Sequence, residues 1–231
     1  METEARKLIH LGINFLTFPK PVISQQHIIA FQQAIIDCGL EFSNVDHNEE
    51  RIIIRRSTPS PLEITIVSQK QPMGQILIIS KQPKAPLSLF IQEAQAAIKA
   101  FNMVWPSSTR KILGGDAAIR ELHPTDSPHA FQELWEKRLG QQAKSLSVFE
   151  RAVRGGGLRF VLEPEPGKDD SPQIEIKIES YLLDTSKIYV EALSNWRYTK
   201  DEDSFKVDSI MTDLNSFIVS KVFKFLGGND V

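Results

Sequence analysis

The sequence predicts an α+β fold of two pseudo-repeated β-α-β-β-β-α halves, with antiparallel sheets and helices packed on one face. Three observations carry that expectation. The composition is globular, with 41% hydrophobic and 24% charged residues over 231 positions. Segments with a two-residue apolar period, such as Leu62, Ile64 and Ile66, alternate along the chain with segments of helical period, such as Val207, Ile210, Met211, Leu214 and Phe217. The order of these segments also repeats, with a boundary that divides the chain into residues 1–105 and 106–231.

In the first half, residues 8–18 (LIHLGINFLTF) hold β-branched and aromatic residues and read as a strand ended by Pro19 and Pro21. Ser24 is a candidate N-cap for a helix whose buried stripe is Ile28, Phe31, Ile35 and Cys38, and Gly39 supplies its stop. Strands follow at 41–45 with 51–56, at 62–68 and at 75–81. Their turns are marked by His47-Asn48, by Pro59-Ser60-Pro61 and by Pro72-Met73-Gly74. Residues 86–101 close the half as a helix carrying Phe90, Ala94, Ala97, Ile98 and Phe101.

The second half restarts after Trp105-Pro106, with a strand over 110–122 made irregular by Gly114-Gly115. Ser127-Pro128 predicts a helix start, followed by the stripe Phe131, Leu134, Trp135 and Leu139. Residues 141–157 form an insertion, helical over 141–153 and ending in Gly155-Gly156-Gly157. Strands are expected at 158–163, 174–181 and 188–193, and a long amphipathic helix at 205–226.

The halves agree beyond element order. Leu62-Glu63-Ile64-Thr65-Ile66 matches Ile174-Glu175-Ile176-Lys177-Ile178 in alternation and in the place of its glutamate. Each first helix follows a proline and a serine and places a phenylalanine, Phe31 or Phe131, on its buried face. This order resembles the tandem-repeat topology of the TATA-binding-protein-like folds. The segments IEIKIESYLL and IMTDLNSFIVSKVFKFL are also similar to a sporadically distributed bacterial family of unknown function that pairs a strand meander with a closing helix. Neither resemblance brings active-site residues to carry over.

Charge and cysteine usage narrow the function classes. With 27 basic and 29 acidic residues the formal charge is −2, so no global field attracts nucleic acid or an anionic surface. Cys38 stands alone, which excludes an internal disulfide and leaves a cysteine-based zinc site to recruit ligands that show no spacing pattern. The apolar runs are far shorter than the roughly 20 residues a membrane helix needs, and the first residues do not read as a secretory signal. A soluble, cytoplasmic protein without membrane contact is expected.

The candidate chemistry is sparse. The five histidines form no H-x-x-x-H or H-x-H pair, and neither a nucleophile elbow nor a P-loop is present. No catalytic, metal or cofactor-binding residue is assigned. His123 and His129 flank a turn and read as a solvated pair. Arg151, Arg154 and Arg159 surround the glycine run, where bare amides and cations suit an anion, or where the glycines simply connect. Glu163, Glu165, Asp169 and Asp170 read as a solvated loop.

Arg51 and Arg55 share one face of a strand, with Arg56 on the other. Arg51 and Arg55, together with Lys177, Lys187 and Trp196, outline a possible nucleic-acid surface. The leading expectation is a non-enzymatic binding or regulatory protein acting through a protein partner or self-association. Nucleic-acid binding on an exposed sheet and a ligand or enzymatic cleft at the seam between halves are the alternatives.

Overall fold

One antiparallel sheet collects every described strand, and its order explains how two chain segments share one core. The structure is a computed structural model and describes residues 6–227 apart from 69–71, 107, 109, 126, 169–170 and 203. Its nine strands are β1 (Lys7–Phe18), β2 (Asn44–His47), β3 (Arg51–Arg56), β4 (Leu62–Val67), β5 (Gly74–Lys81), β6 (Lys111–Pro124), β7 (Gly157–Leu162), β8 (Gln173–Ser180) and β9 (Lys187–Glu202). They lie in the order β2-β3-β4-β5-β1-β6-β9-β8-β7. The two long strands β1 and β6 pair at the centre, from Lys7 opposite Leu122 to Phe18 opposite Lys111. The sheet therefore runs unbroken across the boundary between the two chain segments.

Period-two alternation gives this sheet two unlike faces. On one face Ile54, Ile64, Ile78, Ile13, Ala117 and Ser194 lie side by side across successive strands. Apart from Ser194 they belong to the hydrophobic core, and all six are buried. Helices cover this face: α1 (Gln25–Asp37), α2 (Leu87–Val104), α3 (Ala130–Gln132), α4 (Val207–Phe217) and α5 (Phe223–Gly227). Ser24 caps α1 as expected, its Oγ accepting from the His27 amide at 3.5 Å, and Gly39 leaves the helix at φ 78°. In α2 the wholly buried Ala94, Ala97 and Ala100 let α1 and the sheet approach closely, while Phe101 fills the core beside Trp105.

The segment joining α2 to β6 is stitched into that core. Trp105 donates from Nε1 to the Val22 carbonyl at 2.9 Å and stacks on His27. The guanidinium of Arg110, 7% exposed, contacts the Asn102 side chain and the Trp105 carbonyl. It also lies 5.0 Å from the ring centroid of Phe101 and 4.9 Å from that of Phe205. Phe205 in turn meets Phe15 edge-on at 4.8 Å, so residues from both ends of the chain close over β1.

Several expectations shift. The strand placed at 41–45 lies at Asn44–His47. The last meander strand is much longer than 188–193 and carries Trp196, Arg197 and Tyr198 within it. The helix expected to start at Ser127-Pro128 begins at Ala130, with His129 Nδ1 accepting from the Phe131 amide at 3.1 Å, and it widens into a π turn over Glu133–Arg138. Within the insertion the helical stretch is 3-10 over Ala143–Phe149, not α-helix over 141–153. A π turn, Ile218–Val222, also interrupts the closing helix between α4 and α5. His123 is not solvated: it is fully buried, 2.8 Å from Glu121 and edge-on to Phe223. The Gln69–Gln71 part of the turn before Pro72, and Asp169 and Asp170 of the acidic loop, lie outside the described residues.

Candidate functional site

A cavity opens where α4 stands off the second meander. Its volume is ≈ 450 Å³, and its floor is formed by Ile174 of β8 with Ser194 and Trp196 of β9. These three share the helix-covered face because Ile174 is paired with Ser194, and Trp196 follows two residues on. Leu214, Ile210 and Phe217 of α4 form the opposing wall. Ser209, Asp213, Ser216 and Ser220, spaced at helical period, line the mouth. Tyr198 and Lys206 close one side, with the Lys206 ammonium 5.3 Å from the Tyr198 ring, and Glu165 and Pro172 of the β7–β8 connection reach the rim.

The π turn at Ile218–Val222 begins directly after Phe217 and carries Ser220 of the mouth. Beyond it, Ile218, Val222 and Leu226 return to the core. Under α2, by contrast, the buried face is filled by Phe90, Ala94, Ala97, Ile98 and Phe101. Chemically, the cavity offers aromatic and aliphatic walls with hydroxyls, the Asp213 and Glu165 carboxylates and the Lys206 ammonium around its mouth, a distribution suited to an amphipathic molecule of drug-like size.

Among the described residues the other face of the sheet carries no helix. Across it His10, Arg120, Glu191, Lys177 and Arg159 lie in one row over β1, β6, β9, β8 and β7. Glu191 is 4% exposed and accepts from Lys177 at 2.6 Å and from the Tyr189 hydroxyl at 3.0 Å, and it also pairs with Arg120. Burial opposes ionisation of Glu191 more than any single neighbour favours it. The bonds from Lys177 and Tyr189 and the Arg120 cation together still hold its pKa below the usual carboxylate value. Burial first, then the Glu191 charge, raises the Tyr189 hydroxyl. Burial, helped by Arg120 and Lys81, lowers His10 to about 4. The charges in this row are matched mainly with one another, so the row acts as cross-strand structure.

The residues singled out in the sequence do not converge. Arg51 lies on the open face and is exposed. Arg55 is bonded to Glu63 at 2.7 Å. Lys177 and Arg159 are held by Glu191 and Glu175, Arg159 at 2.8 Å. Lys187 stands at the start of β9 beside Pro124, on the open face. Trp196 points the other way, 7% exposed, edge-on to Phe15 at 5.8 Å and lining the cavity.

Arg151 and Arg154 are exposed, and Arg154 reaches the Leu182 carbonyl at 3.5 Å. The glycine run packs tightly: the Gly156 amide donates to Ser180 Oγ at 3.0 Å. A Cβ on Gly156 would lie 2.8 Å from the Phe131 ring, and one on Gly157 2.2 Å from the Ile178 carbonyl. Close approach accounts for these glycines.

Sequence reasoning missed the cavity. Its only signal was the serine spacing along the polar side of the closing amphipathic helix. Among the described residues no cluster of three His, Cys, Asp or Glu side chains is placed to hold a metal, and no helix is long and apolar enough to cross a membrane.

Comparison with known proteins adds little. No family model matches the chain, and no curated protein matches it. Among solved structures, the chain is similar to that of DynU16, a protein of the dynemicin biosynthetic locus, at 13% identity over 94% of this chain and 96% of that one. The TM-score is 0.27, too low to carry fold or function across.

Proposed function

We propose that the protein is a binding protein that holds a small amphipathic molecule in the cavity between α4 and strands β8–β9. The observation that carries this reading is the cavity itself: ≈ 450 Å³, walled by Trp196, Tyr198, Ile210 and Phe217, and rimmed by Ser209, Asp213, Ser216 and Ser220. A pocket with mostly apolar walls and a few polar groups at one end gains affinity from burial and orientation from the hydroxyls. It differs from a cleft at the seam between the halves, since it lies wholly against the second meander.

A duplication of the chain gives this reading a rationale. The sheet order supports it, because β5 and β9 flank the central pair, then β4 and β8, then β3 and β7. On this view the two halves began alike. One closed its helix onto the sheet with Phe90, Ile98 and Phe101, and the other kept its helix apart through the π turn after Phe217.

The test is titration with 1-anilinonaphthalene-8-sulfonate and with medium-chain fatty acids, followed by Trp fluorescence. One equivalent should bind, and Ile210→Trp, which fills the half-buried wall, should weaken binding by at least about tenfold with the far-ultraviolet spectrum unchanged. Equal binding by the wild type and Ile210→Trp would place the ligand elsewhere and end the proposal.

The open sheet face supports a second reading, contact with a protein partner. Between its ion pairs lie the half-buried Leu77, Ile79 and Leu193, with the buried Ile53 and Ala118 beside them. The pairing of Arg55, Lys177 and Arg159 with carboxylates leaves this face poorly suited to phosphates. A partner that co-purifies in equal amount with the wild type should be lost from Leu77→Glu. Retention by that variant would argue against the open face.

A further inference from the structure

The two margins of the sheet are unlike, and the difference points to a second copy of this chain at one of them. At one margin β2 has four residues, and its Asn44, Asp46 and His47 are polar and exposed. A short, charged edge of this kind discourages pairing. At the other margin β7 has six residues, and all but Leu158 are exposed. It contains neither proline nor lysine, and Phe160, Val161 and Leu162 are 40%, 50% and 38% exposed. The hydrophobicity continues onto the helical layer, where Phe225, 41% exposed, meets Phe160 edge-on at 5.6 Å. Among the described residues no strand pairs with the outer side of β7.

An edge of backbone donors and acceptors is satisfied most fully by another strand, and the apolar side chains on both faces of β7 exclude water from such a pairing. We infer that the protein forms a two-fold dimer through β7, antiparallel to the β7 of a second copy, so that the two sheets become one. Symmetry favours this occupant: a two-fold axis normal to the sheet makes identical strands antiparallel, the arrangement of every pair already in the sheet. Alternation limits the register, because helix-covered and open faces stay aligned only when the axis passes through a residue of the strand.

Centring on Arg159 would oppose two arginines. Centring on Phe160 instead sets Arg159 opposite Val161 and Leu158 opposite Leu162, and brings the two Phe160 rings together beside Phe225. Arg159 keeps its own Glu175 in that arrangement.

Sedimentation equilibrium over a concentration series tests the dimer. The wild type should approach twice 26.1 kDa. Val161→Lys, a change at an exposed position, should raise the dissociation constant by at least about tenfold. Asp46→Lys on β2 should leave it unchanged. In a Cys38→Ser background Phe160→Cys should cross-link to itself on mild oxidation, since opposed residues place their Cβ atoms about 4.5–5.5 Å apart. A wild type that remains monomeric up to hundreds of micromolar overturns the inference. So does a dimer that survives Val161→Lys and fails to cross-link through Phe160→Cys.

Discussion

His10 stands on the open face between Arg120 and Lys81, and that position sets a pH response. Burial and the two cations lower its pKa from 6.5 to about 4. The unfolded chain therefore binds a proton in this interval that the folded chain does not, and the associated stability is present above pH 6.5 and lost as pH falls toward 4. His10→Gln should flatten the dependence of the urea midpoint on pH across that window, and an unchanged slope would refute the assignment. Glu191, whose pKa is lowered, acts in the same direction at more acid pH, because its protonation releases Lys177, Tyr189 and Arg120. The pairing of Arg55 with Glu63 joins strands that the sequence does place side by side. Nothing in the sequence placed His123 in the core against Glu121, since burial of a histidine depends on what folds over it.

At the scale of elements, β7 depends on its first residue, Gly157. A Cβ at Gly157 would sit 2.2 Å from a backbone carbonyl of β8, which cannot yield as a side chain can. Gly157→Ala should cost about 1–3 kcal/mol and expose the 141–157 segment to protease, whereas Gly140→Ala, with nothing within 4 Å of its Cβ, should act only through its φ of 62°. Equal protease resistance of Gly157→Ala and wild type would contradict the close packing. Periodicity located α1, α2, α4 and most strands, since each buries one regular stripe. It missed the π turns at Glu133–Arg138 and Ile218–Val222 because these are responses to packing and leave the apolar stripe nearly intact.

At the scale of the molecule, the central β1–β6 pairing and the bridge of Arg110, Phe101 and Phe205 tie the two segments together. A single calorimetric transition is expected, with the calorimetric and van't Hoff enthalpies equal. Arg110→Ala should lower its midpoint without splitting it. Two resolved transitions would mean that residues 1–105 and 106–231 unfold as independent domains.

The alternation of apolar residues determined the α+β class and the approximate element order, both of which are local or compositional properties. Only the tertiary structure decided that the strands form one sheet, that Trp196 faces the helices, and that a cavity remains under α4. Those outcomes depend on strand register and on the distance between layers. Both are set by residues far apart in sequence, such as Phe15 against Phe205, and local patterning carries no record of them.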